Sequence, residues 1–160
     1  MTQPTAQDER YLRDVIGLAQ RSRDSGHHPF AAMVVGADGQ VIAEAMNASS
    51  TDRTAHAEMN ALRLASSQFG PAALAGATLY SSAEPCAMCA GATYWAGVGR
   101  VVYALSEARL LQLTGSDPEN PTLSLPCRQV FASGQRPTQV IGPLHEDAAS
   151  VAHAGFWRNG

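Results

Sequence analysis

Two short clusters constrain this chain more than anything else in it. Thr54-Ala55-His56-Ala57-Glu58 places an imidazole two positions before a carboxylate, and Ser82-Ala83-Glu84-Pro85-Cys86-Ala87-Met88-Cys89 places two thiols three positions apart behind a proline. One imidazole and two thiolates, from His56, Cys86 and Cys89, suit Zn²⁺, and no fourth ligand of that kind stands beside them in the motif. A structural zinc site closes its shell with four protein ligands, whereas a hydrolytic one leaves room for water. Glu58 is then the natural carrier of that water's proton.

The spacing carries a fold with it. With helices starting near Ala55 and at the Pro85-Cys86 step, His56 and the cysteine pair sit at helix N-termini, where free N–H groups and the helix dipole favour thiolates. Cys86 and Cys89 then share one face of a first turn, so one ion reaches both sulfurs. The interval from His56 to Cys86, 86 − 56 = 30 residues, is one helix plus one strand. That is about a crossover unit, which returns the chain to the same edge of a sheet. Open α/β sheets bind their ligands at that edge.

Along the chain, Tyr11, Leu12, Val15, Ile16, Leu18 and Ala19 recur at helical spacing and predict a helix from Thr5 to about Asp24, with Thr5 as cap and Gly26 as stop. Phe30 to Val35 and Val41 to Ala45, joined by Gly36-Ala37-Asp38-Gly39, read as a hairpin. A second helix from near Ala55 should carry Met59, Leu62 and Leu64 inward and end before Gly70-Pro71. Ala77 to Ser82 and Val101 to Leu105 read as strands with the cysteine helix between them. The part of the sheet from Val41 to Leu105 is therefore expected to be parallel, with helices on its faces. Ser106 to Leu113 is a candidate short helix and Gly115 to Pro126 a long surface loop. Thr138 to Ile141 is a candidate last strand, and Glu146 to Trp157 a closing helix with Val151, Phe156 and Trp157 as apolar positions.

With 160 residues, the chain is expected to form one domain, residues 1–160, with a real core. A net charge of −3, with all eleven cations arginine, offers no broad basic surface for a phosphate backbone and argues against nucleic acid as partner. No apolar run is long enough to suggest a membrane span. Three cysteines with no N-terminal apolar segment point to a reducing cytoplasm, where Cys86 and Cys89 are thiolates and Cys127 is a small buried hydrophobe.

Plainer alternatives exist for each of these residues. A lone Cys-x-x-Cys serves redox or structural zinc sites equally well, and here the upstream His-x-Glu and the preceding proline favour catalysis. His27, His28, His145 and His153 are expected to face solvent or be satisfied in the core. Trp95, nine residues after Cys86, is as natural a core residue as a pocket wall. Asn47 at a strand end is either a turn former or a group that reads a base edge. Glu84 is a tempting second carboxylate, or a hydrogen-bond acceptor for backbone at the helix entrance.

The two clusters resemble the cytidine deaminase-like superfamily, in particular its nucleobase and tRNA-adenosine deaminase branch, and the similarity runs from about Pro29 to Leu105. The resemblance implies an α/β fold, a three-layer α/β/α sandwich with a mixed five-stranded sheet. It also implies zinc held by His56, Cys86 and Cys89, Glu58 as proton shuttle, a base-contacting Asn47 and a homodimer. Pro29-Phe30-Ala31-Ala32, Thr93-Tyr94-Trp95-Ala96 and Phe156-Trp157-Arg158-Asn159 are most similar to bacterial guanine deaminases. By that similarity Phe30 and Trp95 would line the base pocket, with Ala57 and Glu84 from the two motifs completing the substrate contacts. That group also uses a second acidic shuttle near the C-terminus, for which Glu146 and Asp147 are the candidates. The chain stops at Gly160 without the longer aromatic-ended tail of that group, which leaves cytosine-like and isocytosine-like bases and amino-triazines beside guanine as substrates.

The leading expectation is thus a zinc-dependent hydrolase of the C–N bond in a free, amino-substituted base, with release of ammonia. A tRNA adenosine deaminase is the first rival. It is weakened because Leu105 is followed by Ser106-Glu107-Ala108-Arg109 and not by a Lys-Thr-Gly segment, and because the tail carries only Arg158. A non-catalytic, zinc-stabilised binding protein is the second, and a carboxylate at Glu58 has no use in a closed structural site.

Overall fold

The computed structural model describes residues 2–158; Met1, Asn159 and Gly160, and with them the last residue of the Phe156-Trp157-Arg158-Asn159 segment, lie outside the described residues. Helix α1 (Ala6–Asp24) opens on a capping box. Thr5 Oγ1 accepts from the Asp8 N–H while the Asp8 carboxylate accepts from the Thr5 N–H, satisfying two N–H groups that a helix start would leave free. Strands β1 (Ala31–Val35) and β2 (Val41–Met46) form the expected antiparallel hairpin, turning through Gly39 at φ 81°.

Helix α2 (Ala57–Gln68) and a short α3 (Pro71–Leu74) lead to β3 (Thr78–Ala83); α4 (Ala87–Ala96) then crosses to β4 (Arg100–Leu105). After β4 come α5 (Glu107–Thr114), a loop, α6 (Cys127–Ala132), β5 (Gln139–Ile141) and α7 (Glu146–Ser150), which runs into a 3₁₀ turn at Val151–His153. Gly97 ends α4 in the left-handed conformation at φ 92°, and a Cβ there would meet Pro71 at 2.8 Å, so α3 packs against this glycine directly.

The strands lie in the order β2-β1-β3-β4-β5, a mixed five-stranded sheet. β3, β4 and β5 pair in parallel, while β1 pairs antiparallel with β2 and with β3. Strands β2 and β3 do run the same way, as crossover logic requires, but they are not neighbours, because β1 is inserted between them. Side chains alternate across the sheet. Ala32, Val34, Leu79, Val101 and Tyr103 pack with Ala57, Ala61, Leu62 and Ala90 from α2 and α4, and with Phe131 from α6. Met33, Val35, Tyr80, Val102 and Ala104 pack with Tyr11, Leu12 and Val15 from α1, with Leu110 from α5 and with Ala149 from α7. The result is the three-layer α/β/α sandwich.

Three local expectations change. Leu64 is 48 % exposed; the buried stripe of α2 is Ala57, Glu58, Ala61, Leu62 and Ala65, and Leu64 lies two residues from Leu62, on the far side of the helix. The closing helix is shorter than Glu146 to Trp157. It stops at Ser150 and tightens, Gly155 takes φ 69°, and Val151 is exposed while Trp157 turns back into the core. Helix α6 has no counterpart in the sequence reading.

Candidate active site

Four of the five strands contribute, at one edge of the sheet, to a cavity of about 460 Å³. Phe30 enters β1 there, Asn47 leaves β2, Glu84 leaves β3 and Glu107 follows β4; all four line the cavity. His56 is the N-cap of α2 and Cys86 the N-cap of α4, so both helices start at this edge, as the spacing predicted.

His56 Nδ1 lies 3.6 Å from Cys86 Sγ and 3.6 Å from Cys89 Sγ, and the three ligating atoms all fall within 4.8 Å of one another. With bonds of about 2.0 Å to nitrogen and 2.3 Å to sulfur, a tetrahedral zinc centre requires an N···S edge of about 3.6 Å. The three side chains therefore fit such an ion without rearrangement. Contact between the sulfurs divides one proton unevenly: hydrogen bonding from Cys89 and the neighbouring His56 takes Cys86 down to about 4, and hydrogen bonding to Cys86 with burial pushes Cys89 up. A divalent cation would resolve that conflict by holding both sulfurs as thiolates.

Glu58, in the first turn of α2, is 6 % exposed and lines the same cavity. Ser81 Oγ donates to its Oε1 at 2.8 Å, and its Oε2 lies 3.6 Å from Cys89 Sγ. Burial, reinforced by the Cys86 charge, raises its pKa. The carboxyl is thus fixed in orientation beside the ligand cluster and disposed to hold a proton.

The remaining residues singled out by sequence take different places. Phe30 and Asn47 are in the wall. Asn47 Oδ1 accepts from the Ser49 N–H and hydroxyl at 2.9 and 2.8 Å, which commits its oxygen to the protein and leaves its amide N–H₂ to the cavity side. Glu84 is also in the wall, but its two oxygens accept from the backbone N–H groups of Glu107 (3.0 Å) and Cys127 (2.8 Å), so it ties the starts of α5 and α6 to the end of β3. Ala57 is fully buried with its methyl group in the core, which leaves only its first-turn backbone N–H to offer. Trp95 does not join them. Its ring is 80 % exposed and forms no part of the cavity wall in this chain. Nine residues past Cys86 is two and a half helical turns, about 13 Å along α4 and on its opposite side.

Glu146 and Asp147 lie elsewhere too. Glu146 accepts from the Ser106 N–H and hydroxyl and so anchors the start of α5, while Asp147 is 97 % exposed and pairs with Arg109 at 3.3 Å. Both border a separate shallow groove.

Several wall residues were not singled out by sequence. Glu107, 8 % exposed, puts a third buried carboxyl beside Glu58 and Glu84, and burial together with the Cys86, Glu84 and Glu58 charges pushes it up to about 8. Its place directly after β4, at the ligand-binding edge, was the available signal. The loop after α5 brings Pro118 to Leu123 over the opening, where Glu119 meets His28 (3.4 Å) and Arg53 (3.6 Å). Behind His28 and Phe30 stand Phe156 and Trp157, with ring centroids 5.1 Å apart for His28–Trp157 and 6.1 Å for Phe30–Trp157. Trp157 Nε1–H donates to His153 Nδ1, and the Arg158 N–H donates to Asp117, tying the tail to the loop.

A helix-start His/Cys/Cys cluster, a carboxyl wedged beside it and an open cavity at the sheet edge are the parts of a hydrolytic deaminase. The chain belongs to the family whose model is described as the cytidine and deoxycytidylate deaminase zinc-binding region, which matches residues 5–105. It is 39% identical over 160 residues to a probable cytosine deaminase of Schizosaccharomyces pombe, covering 99% of this chain and 98% of that one. The structure superposes on a guanine deaminase from Nitrosomonas europaea with TM-score 0.75 at 27% identity, covering 98% of this chain and 86% of the other. It also superposes on a protein crystallised with 2,6-diaminopurine, with TM-score 0.76 at 30% identity and coverage of 97% and 83%. The chain is accordingly an enzyme of the nucleobase deaminase group, acting on C–N bonds.

Proposed function

We propose that this enzyme deaminates a free nucleobase or close analogue, guanine-, cytosine/isocytosine- or amino-triazine-like, using zinc held by His56, Cys86 and Cys89, within one domain spanning residues 1–160. The observation that carries the proposal is the clamped Glu58 carboxyl between Ser81 and Cys89, in the wall of a cavity with room for a small heterocycle. Bound zinc would supply the Lewis acidity that makes water a nucleophile near neutral pH.

Glu58 takes a proton from that water and passes it to the ring nitrogen beside the reacting carbon. A C–O bond forms as the ring C=N becomes C–N. Glu58 then carries the second proton from oxygen to the exocyclic nitrogen, the C–N bond to the amine breaks, and ammonia leaves behind a carbonyl. Asn47 donates its amide N–H to an acceptor on the base, Phe30 packs on the ring, Ala57 has its first-turn backbone N–H to offer, and Glu84 frames the wall through the backbone it holds.

Support for a small substrate over tRNA comes from the charge of the wall. The one arginine of the wall, Arg53, already faces Glu119, which leaves no unpaired arginine there for a phosphate chain and disfavours a polyanion. The exposed Trp95 supports a homodimer in which that ring is covered by the partner. The free thiols of Cys86, Cys89 and Cys127 suit a cytoplasmic setting, and among the described residues no helix is long and apolar enough to cross a membrane.

The test is an ammonia-release screen across guanine, cytosine, isocytosine, adenine, amino-triazines and their nucleosides. At least one free base should react, and Glu58→Ala should lower kcat by about 10³-fold with zinc content unchanged. Inosine formed in a tRNA anticodon stem-loop while every free base stays intact would replace this proposal with the tRNA one.

A further inference from the structure

One carboxyl in the cavity wall has no partner among the described residues. Glu84 spends both oxygens on backbone N–H groups, Asn47 spends its oxygen on Ser49, Glu119 faces His28 and Arg53, and Glu58 is held by Ser81 beside the ligand cluster. Glu107 makes no side-chain hydrogen bond among the described residues, although it is more than nine-tenths buried and lines the cavity. Only its backbone N–H is engaged, by Glu84 Oε1. Ser106 caps α5 through the Arg109 N–H and is itself gripped by Glu146, so the residue that precedes Glu107 is fixed in position. A buried carboxyl costs free energy unless it finds a partner. Here the open side is the space a substrate must fill.

We infer that Glu107 is a specificity-determining residue whose carboxyl accepts a hydrogen bond from a second N–H donor of the base, distinct from the amino group that leaves. The inference rests on the free-base proposal above and narrows its substrate class. The two uncommitted groups away from Glu58 are a donor, the Asn47 amide, and an acceptor, the Glu107 carboxyl. They fit an amino-substituted ring that carries one acceptor and one further ring N–H or amino group. A ring of the same shape without that donor leaves the buried carboxyl unpaired, and sites built around a hydrogen bond reject such analogues strongly.

The experiment measures equilibrium binding by calorimetry in the Glu58→Ala background, where turnover is too slow to compete with the titration. Three matched pairs serve as probes, one purine, one pyrimidine and one triazine, each with its second N–H donor and with that donor replaced by C–H or bare nitrogen. With Glu107 intact, at least one pair should show the donor-bearing ring binding 10-fold or more tightly, and adding Glu107→Ala should bring that ratio to within about threefold of one. Glu107→Gln, which keeps one acceptor and the shape, should retain part of the preference and guards against a variant that fails to fold. A preference left unchanged by both substitutions, or no preference with Glu107 present, overturns the inference while the deaminase proposal stands. Failure of every ring to bind overturns the free-base proposal and this one with it.

Discussion

The two halves of the cavity are built in opposite ways. Its chemical floor, with His56, Glu58, Cys86 and Cys89, comes from two helix starts joined by one crossover. Each group there is held by a neighbour within hydrogen-bonding reach, such as Ser81 on Glu58. Its outer wall comes from distant segments. His28 and Phe30 precede β1, Pro118 to Leu123 follow α5, and Phe156 and Trp157 stand behind them from the end of the chain. The floor has the close-set geometry that one metal ion would require, whereas the wall is assembled from loops whose contacts are stacking and exposed ion pairs. The difference teaches that the reaction type is fixed locally and the choice of base is fixed by long-range packing.

Removing a sulfur should break that contrast most severely. Cys89→Ala deletes a fully buried ligand, so the purified variant should lack zinc and release no ammonia, as metal analysis and a turnover assay would show; retained zinc would mean the floor is not the metal site. A second test strikes the scaffold beneath both halves. Arg100 Nη1 and Nη2 grip Asp8 at 2.6 Å each, and Tyr80 adds a hydrogen bond at 2.7 Å, pinning α1 to the sheet. Burial raises the Asp8 pKa, but these bonds outweigh it and hold the carboxyl well below its ordinary 3.8. Asp8→Asn should cost about 3 kcal/mol in urea unfolding with kcat/KM of the folded enzyme unchanged. Because the folded pKa is depressed, the wild-type advantage is complete above that ordinary value and disappears as the pH falls further. An advantage that persisted into strong acid would rule out the ion pair as its source.

Smaller effects should sharpen the contrast by appearing in KM alone. Trp157→Phe removes the hydrogen bond to His153 and part of the support behind His28 and Phe30. It should raise KM about 3- to 10-fold with kcat nearly constant. A fall in kcat instead would show that the wall shapes the chemistry as well as the fit. Glu119→Gln, on a half-exposed side chain between His28 and Arg53, should change KM by no more than about fivefold, and the difference should fade as salt is added.

Sequence disclosed the elements whose causes are local. Thr5 announced the capped start of α1, the Gly36-to-Gly39 turn the hairpin, and the Pro85-Cys86 step the start of α4. The meeting of His56, Cys86 and Cys89 was legible for the same reason, since all three lie in two short windows. Insertion of β1 between β2 and β3 was not, because hydrophobic periodicity sets which face a strand buries and not which strand lies beside it. Helix α6 is six residues long, and its first N–H is taken by Glu84, 43 positions earlier, a contact that no window reveals. Glu146 shows the same limit from the other side. Its acidity suggested a proton shuttle, and its position makes it the anchor of Ser106. Trp95 could have been placed better, because the half-turn offset from Cys86 along α4 was already countable.

The central claim is that a metal sits on three protein ligands with one position open. X-ray absorption at the zinc edge of the purified, active enzyme tests it most directly. The expected spectrum fits two sulfurs at about 2.3 Å, one nitrogen at about 2.0 Å and one further light atom from solvent. A shell of four protein ligands, or an active enzyme with no zinc and a Cys86–Cys89 disulfide, would contradict it.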